Sequence, residues 1–385
     1  MRGIALFRTP AIIYGTEASG KIGDYAPEFG QKGLIVTDAH LDSIGILAGI
    51  KESLTSSGVD FILFEKVTTE PVIEYVEEGL RVLKDTKCNF IISVGGGSSV
   101  DTGKGISILA TNGGSMRDFE GINKIQKPGL PHLAIPTTAG TGSEVTQATI
   151  ITDSARDVKM LIISPHILPR MAFVDPLLTL QMPQHITAST GLDALTHAIE
   201  AYVSVKAHSI TDALALHAIR LIAEYLPQAW SDGTNIEARG HMMTAALEAG
   251  LAFTNSSVAL VHGMARPLGA HFHIPHGIAN AALLATVVEF SVLGNPGRYA
   301  HIAGAMGEDT HGLSLLDAGN LAAKAVRKLV DYLKIPSLGG LGIAEEKFNR
   351  IVEQMAEDAL ASGSPDNNPR KASLPEIVEL YQKAF

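Results

Sequence analysis

The spacing of apolar residues changes once along the chain, near residue 180. Before this point, short apolar runs alternate with helical patterns, which predicts a mostly parallel sheet in a Rossmann-like α/β domain over residues 1–180. Beyond Pro183, apolar residues recur every three or four positions, which predicts an all-α domain over residues 181–385. A chain of 385 residues is long enough for two cores. The predicted strands are 33–37, 61–64, 89–94, 133–135 and 171–176, and the predicted helices of the second domain are 186–205, 209–229, 235–253, 278–292, 315–333, 345–361 and a short final helix.

Two of these strands are followed by residues suited to a dinucleotide, which binds at the carboxyl ends of strands in such a sheet. Asp38 follows the first strand, where a carboxylate can accept hydrogen bonds from ribose hydroxyls and repel a 2′-phosphate, or simply cap the next turn. Gly95, Gly96, Gly97 and Ser98 follow the third strand, where glycines allow a pyrophosphate to approach the backbone. The run is neither a GxGxxG fingerprint nor a Walker A loop, so a plain turn is the alternative.

A threonine-rich loop follows the strand at 133–135. Thr137, Thr138 and Thr141 share six residues with two glycines, a composition that can wrap a polar ligand through hydroxyls and backbone amides. An ordinary turn rich in threonine is the alternative at this position.

Histidines crowd into one short stretch of the second domain. The chain has fourteen histidines, and four of them, His262, His271, His273 and His276, fall within fifteen consecutive residues. Pro267 predicts a helix end close to His262, because proline lacks the backbone donor that a longer helix needs. Pro275 predicts that His276 begins the next helix, where the positive end of the helix dipole favours a neutral imidazole.

A second pair of candidate ligands lies upstream. Asp193 and His197 are four residues apart in a predicted helix, so both side chains project from one face. With His262 and His276 they offer one carboxylate and three imidazoles, a set suited to Fe(II), our first choice, or Zn(II), with a position open to substrate. The alternative is that these are ordinary helix and loop residues.

Three motifs in order resemble the iron-containing (group III) alcohol dehydrogenase family: GLDALTHAIE (191–200), VHGMARPLGA (261–270) and PHGIAN (275–280). The resemblance implies a two-domain, dehydroquinate synthase-like fold, a homo-oligomer of two or more subunits, and a preference for NAD set at the Asp38 position. It also implies that the GGGS run binds the cofactor and that the threonine loop and a lysine contact its nicotinamide half. The residues that carry these implied roles are Asp193, His197, His262 and His276 for the metal, and Gly95 to Ser98, Thr137, Thr138, Thr141 and Lys159 for NAD.

The resemblance implies an NAD-dependent alcohol dehydrogenase or aldehyde reductase for a primary or small alcohol or diol. We expect metal and nicotinamide to meet, so that Lewis acidity lowers the pKa of the alcohol oxygen and its carbon passes hydride to NAD. The metal ligands would then act electrostatically. Many relatives have a histidine where this chain has Arg266, which cannot shuttle protons. His271 and His273 are substitute candidates for the proton relay, with ordinary loop histidines as the alternative. Glu70 stands where many relatives carry asparagine.

Two other functions fit parts of the pattern. Glycerol dehydrogenase-like and dehydroquinate synthase-like enzymes share the fold and bind zinc with three protein ligands, but the complete set of one aspartate and three histidines argues against the synthase. A noncatalytic metal-binding protein would leave the predicted cofactor loops without a role.

Composition limits the partners and the compartment. The formal net charge of −10 opposes nonspecific nucleic-acid binding, and we expect a small alcohol or aldehyde as the partner. Cys88 is the only cysteine, which favours a reducing compartment. The N-terminal ten residues lack the continuous apolar core of a secretion signal, and no run reaches ~18 uncharged apolar residues, so we expect a soluble, cytoplasmic protein without a membrane partner.

Overall fold

The computed structural model describes residues 6–156 and 158–385. Residues 1–5, which belong to the predicted first domain and to the segment expected to lack a secretion signal, lie outside the described residues. The chain divides into two compact units, one formed by Arg8–Gln181 and the other by residues 182–385 together with residues 6 and 7. The predicted domain boundary was near residue 180.

The first unit is built on two sheets. The strands are β1 (Ala11–Tyr14), β2 (Lys32–Val36), β3 (Asp60–Phe64), β4 (Phe90–Gly95), β5 (Gly121–Ile122), β6 (His132–Pro136), β7 (Ala148–Asp153), β8 (Val158–Ile163) and β9 (Met171–Val174). The larger sheet has six strands in the order β1-β9-β6-β4-β2-β3, in which every neighbouring pair is parallel. The second sheet has the order β5-β8-β7 and contains one antiparallel pair. The helices of this unit are α1 (Ile22–Tyr25), α2 (Ala39–Ser43), α3 (Ala48–Ser56), α4 (Ile73–Asp85) and α5 (Gly97–Asn112).

The large sheet is buried on both faces, which explains why its central strands are mostly apolar. Every residue of β4 and β6 is buried. Leu34 of β2 packs into one apolar cluster with Ile106 of α5, whereas the adjacent Ile35 packs into another with Ile50 of α3. Successive residues of a strand point to opposite faces, so helices cover both sides of the sheet. The prediction of a mostly parallel α/β unit is confirmed.

The sequence prediction omitted β1 and the β7–β8 hairpin. β1 is only four residues long, and Ala11 and Tyr14 at its ends are exposed, so its apolar signal is short. It is formed by pairing with β9 along Ala11 to Tyr14. Partner strands, which a local pattern does not reveal, define such edge elements.

The second unit is helical. Its helices are α6 (Gln184–Val203), α7 (Ser209–Ser231), α8 (Ile236–Thr254), α9 (Leu260–Phe272), α10 (His276–Ser291), α11 (Pro296–Ala305), α12 (Leu315–Tyr332), α13 (Glu345–Ala361) and α14 (Leu374–Ala384). Helices α6, α7 and α8 pack against one another, and α10 packs against α6, α9 and α12.

The expectation that Pro267 ends a helix near His262 was wrong. α9 runs from Leu260 to Phe272 with Pro267 inside it, although His262 does lie in its first turn. An internal proline costs about 3 kcal/mol. Here the helix is held from outside, because Pro267 is buried, α9 packs against α10 and α13, and the Tyr381 hydroxyl donates to the Met264 carbonyl at 2.5 Å.

One segment, His276–Gly294, is long and apolar enough by length and composition to cross a membrane, with a mean hydropathy of 1.6. It includes Glu289, and 61% of it is buried inside the protein. A core helix of a globular unit has the same properties, so the segment is weak evidence for a membrane span.

Candidate metal centre and cofactor loops

Four side chains from three helices converge in the helical unit. Asp193 and His197 lie on α6, His262 in the first turn of α9, and His276 at the first position of α10. Each offers a ligand atom, and these atoms all lie within 4.8 Å of one another. The structure therefore brings together the four residues predicted from their types and spacing.

Close packing of α10 on α6 makes this convergence possible. A Cβ atom on Gly277 would lie 2.8 Å from the Ser189 carbonyl oxygen of α6, closer than two such atoms can approach. Glycine directly after His276 therefore allows the start of α10 to rest on the backbone of α6, one turn before Asp193. On α6 itself, the four-residue spacing places Asp193 and His197 on one face.

The distances within the cluster fit a divalent metal ion. Asp193 Oδ1 is 3.9 Å from His262 Nε2 and 3.7 Å from His276 Nε2, and Asp193 Oδ2 is 4.0 Å from His197 Nδ1. Ligands bound at the usual ~2.0–2.2 Å lie about 3–4 Å from one another around a metal. One carboxylate with three imidazoles is also a donor set that such metals accept.

Burial keeps the His262 imidazole in the form that binds metals. Asp193, His197 and His262 are buried, whereas the His276 side chain is 31% exposed. Burial holds the pKa of His262 well below its ordinary value, and nearby His197 adds to the effect. Neutral His262 therefore has a lone pair available for a metal at ordinary pH.

Glu200 is a partner of the candidate ligand His262 that the sequence analysis missed. Its Oε2 accepts hydrogen bonds from His262 Nδ1 at 2.6 Å and the Ala259 amide at 2.8 Å, and its Oε1 accepts from the Val261 amide at 2.5 Å. A proton on His262 Nδ1 leaves Nε2 as the acceptor that faces Asp193. Burial raises the pKa of Glu200 to about 7, opposed by these donors.

The sequence contained a signal for Glu200. Asp193, His197 and Glu200 are spaced i, i+4 and i+7, so all three lie on one face of α6, and Glu200 closes the first of the three motifs. A buried carboxylate on the ligand face of a metal-binding helix is a candidate partner for a ligating histidine. Asn280, also missed, contacts the same cluster from α10.

The two relay candidates, His271 and His273, are not among the four converging side chains. His271 is nine residues after His262 on α9, about 13 Å along the helix axis, and its Nε2 is 3.2 Å from Asp358 Oδ2. His273 is exposed and ends α9 in the left-handed conformation, with φ 56°. Arg266 Nη1 donates to Ser364 Oγ at 3.1 Å, and its buried Nε has no acceptor among the described residues. These contacts do not support a relay, which stays a prediction.

The predicted cofactor residues of the first unit follow neighbouring strands. β2 and β4 pair directly. After β2 the chain continues to β3 at one edge of the sheet, whereas after β4 its next strand in this sheet is β6, toward the other edge. Such a reversal marks the switch point where dinucleotides bind. Asp38 follows β2 and its Oδ1 accepts from the Leu41 amide at 2.9 Å, so it does cap α2. This contact occupies one carboxylate oxygen and is compatible with a second role toward ribose.

The glycine run and the threonine loop are packed against each other. Gly95 ends β4 with φ 152°, and its carbonyl accepts from the Thr137 amide at 3.0 Å. A Cβ on Gly97 would lie 2.9 Å from Thr141 Cγ2, and one on Gly96 would lie 3.4 Å from Thr138 Cγ2. The two loops thus form one surface beside the start of α5, whose backbone amides can bind a phosphate.

Beneath these loops lies a buried charged cluster that the sequence analysis did not identify. Lys104 Nζ donates to Ser143 Oγ at 3.0 Å, to Thr146 Oγ1 at 2.8 Å and to the Ala148 carbonyl at 2.7 Å. Asp101 Oδ1 accepts from Ser143 Oγ at 2.5 Å. Burial lowers the pKa of Lys104 to about 8 and raises that of Asp101. The cluster ties the end of the threonine loop to α5.

Lys159 and Glu70, the two positions where cofactor contacts were least defined, form an ion pair with each other. Lys159 lies on β8. The pairing gives the lysine a partner within its own unit, and its role toward the nicotinamide ribose stays a prediction.

Comparisons with known proteins agree across both units. Residues 9–176 match the family model for iron-containing alcohol dehydrogenase, and residues 187–385 match the C-terminal model of the Fe-containing alcohol dehydrogenase family. The chain is 43% identical to a 1,3-propanediol dehydrogenase of Citrobacter freundii (97% of this chain, 96% of that protein) and 40% identical to an NAD-dependent methanol dehydrogenase of Bacillus methanolicus (98% and 99%). A solved 1,3-propanediol oxidoreductase superposes with a TM-score of 0.96 at 40% identity, covering 100% of both chains.

Proposed function

Because the chain belongs to the iron-containing alcohol dehydrogenase family, we propose that it transfers hydride between a small primary alcohol or diol and NAD, or in reverse to the matching aldehyde. It is an oxidoreductase acting on CH–OH groups. The observation that carries the proposal is the convergence of Asp193, His197, His262 and His276 in a chain that also has a glycine-lined cofactor surface.

In this proposal the four converging side chains hold a divalent metal, with Fe(II) favoured over Zn(II). When bound, the metal supplies Lewis acidity that lowers the pKa of an alcohol oxygen or polarises a carbonyl. Glu200 keeps the proton of His262 on Nδ1, so that Nε2 stays an acceptor. Burial excludes water from three of the ligands, and the partial exposure of His276 leaves one side of the cluster accessible.

The first unit binds NAD through backbone groups and hydroxyls. The amides at the start of α5 receive the pyrophosphate, and the glycines at 95–97 leave room for it. Thr137, Thr138 and Thr141 receive the nicotinamide half. The carboxylate of Asp38 accepts from the adenosine ribose and disfavours the extra phosphate of NADP. We further propose a cytoplasmic homo-oligomer, supported by the single cysteine and by the family.

A single set of measurements tests the proposal. The protein is purified anaerobically, its metal content determined, and its NADH production or consumption measured with a panel of alcohols, diols and aldehydes. We expect activity that is lost on chelation and restored by Fe(II) or Zn(II). Full activity in the stripped protein would refute the metal centre. The dehydrogenase assignment would be refuted if protein loaded with Fe(II) or with Zn(II) turned over no member of the panel with NAD or NADH.

A further inference from the structure

The side chain of Asn280 lies against three of the four proposed metal ligands. Its Nδ2 is 2.6 Å from Asp193 Oδ1, 3.1 Å from His262 Nε2 and 3.2 Å from His276 Nε2. Asn280 is fully buried and follows His276 by four residues, so α10 presents both side chains from one face.

The chemistry of the neighbours determines which way this amide faces. The Asp193 carboxylate accepts hydrogen bonds, and Nε2 of His262 is an acceptor because Nδ1 donates to Glu200. A cluster of acceptors requires the Nδ2 donor of Asn280 to face it. The amide Oδ1 is then left buried without a hydrogen-bond partner among the described residues. An apolar side chain of the same size would avoid that cost, so bulk alone does not explain an asparagine here.

We propose that Asn280 is a positioning residue of the metal centre, an inference that rests on the proposed function. The shortest of its contacts, 2.6 Å to Asp193 Oδ1, is a charge-assisted hydrogen bond. This bond holds the rotation of the carboxylate so that Oδ1 faces Nε2 of both His262 and His276. Without it the carboxylate is free to turn, and metal binding must order it. Glu200 holds His262 in the same way from the opposite side of that ring.

The test is the metal affinity of Asn280→Leu and Asn280→Ser, measured by competition with a chelator of known affinity. Leucine keeps the volume without the donor, and serine is too short to reach Asp193. We expect both to weaken binding of Co(II) and Zn(II) by about 10–100-fold, as loss of an outer-shell partner does, and to shift the visible absorption bands of the Co(II) protein. Neither readout depends on substrate or NAD.

The matched control is Asn368→Leu, which removes another buried amide of the helical unit. Asn368 Nδ2 donates to Ser291 Oγ at 3.0 Å and to the Arg370 carbonyl at 2.7 Å, at the end of α10 opposite His276. We expect its metal affinity to stay within threefold of the unaltered protein. Asn280 variants with unaltered affinity and spectra, or an equal loss in the control, would overturn the inference. Failure of the unaltered protein to bind either metal would overturn the metal centre itself.

Discussion

Replacing Glu200 by glutamine removes one acceptor from a site where every neighbour is a donor. In the structure the two carboxylate oxygens accept from the Ala259 and Val261 amides and from His262 Nδ1, at 2.8, 2.5 and 2.6 Å. Glutamine has the same shape, but one of its two terminal atoms is an NH₂ group. Whichever way the amide turns, it must place a donor against a donor.

The less costly orientation directs the NH₂ group at Val261, because that position serves only one neighbour. One buried amide then loses its acceptor, which costs about 1–3 kcal/mol of stability. His262 keeps an acceptor, but the bond is no longer charge-assisted and has roughly half its strength. The ring is held less firmly, so we expect metal affinity to fall by about 10–100-fold, equal to about 1.4–2.8 kcal/mol.

Chelator competition on Glu200→Gln measures this loss, and Glu248→Gln is the control. Glu248 Oε2 lies 2.7 Å from His217 Nδ1, a carboxylate–imidazole pair of similar length in the same helical unit that lies outside the ligand cluster. We expect Glu248→Gln to leave metal affinity unchanged. An affinity of Glu200→Gln within threefold of the unaltered protein, or the same loss in both variants, would refute the positioning role.

Three further predictions concern the first unit. Asp38→Asn keeps a good helix cap but removes the negative charge. The value of kcat/KM for NADP, divided by the value for NAD, should therefore rise roughly tenfold. An unchanged ratio would argue against the ribose contact. Gly97→Ala places a Cβ 2.9 Å from Thr141 Cγ2 and should weaken NADH binding, which fluorescence titration measures. The double variant Gly97→Ala/Thr141→Ser should partly recover this binding, and no recovery would mean that the contact is not the cause. Burial lowers the pKa of His132 from 6.5 to about 3, so its contribution to stability is present above pH 6.5 and lost as the pH falls toward 3. The loss between pH 7 and pH 5 is about 2 kcal/mol, and His132→Gln should flatten the pH dependence of chemical unfolding; an unchanged slope would exclude His132 as its source.

The sequence alone predicted the elements whose residues carry a strong local pattern. The buried strands β2, β4 and β6 are mostly apolar because parallel strands are covered on both faces. Asp193 and His197 could be paired because helix geometry places residues four apart on one face. Each of these inferences depends only on neighbours within about one helical turn or one strand.

The tertiary structure decided what depends on neighbours distant in sequence. Pro267 remains inside α9 because contacts with α10 and α13 outweigh one lost hydrogen bond. The spacing on α6 places Glu200 on the ligand face, but only the meeting of three helices places Glu200 against His262 Nδ1 and Asn280 against Asp193 Oδ1. A side chain's own sequence neighbourhood determines which face it occupies, whereas the packing of remote segments determines what that face touches.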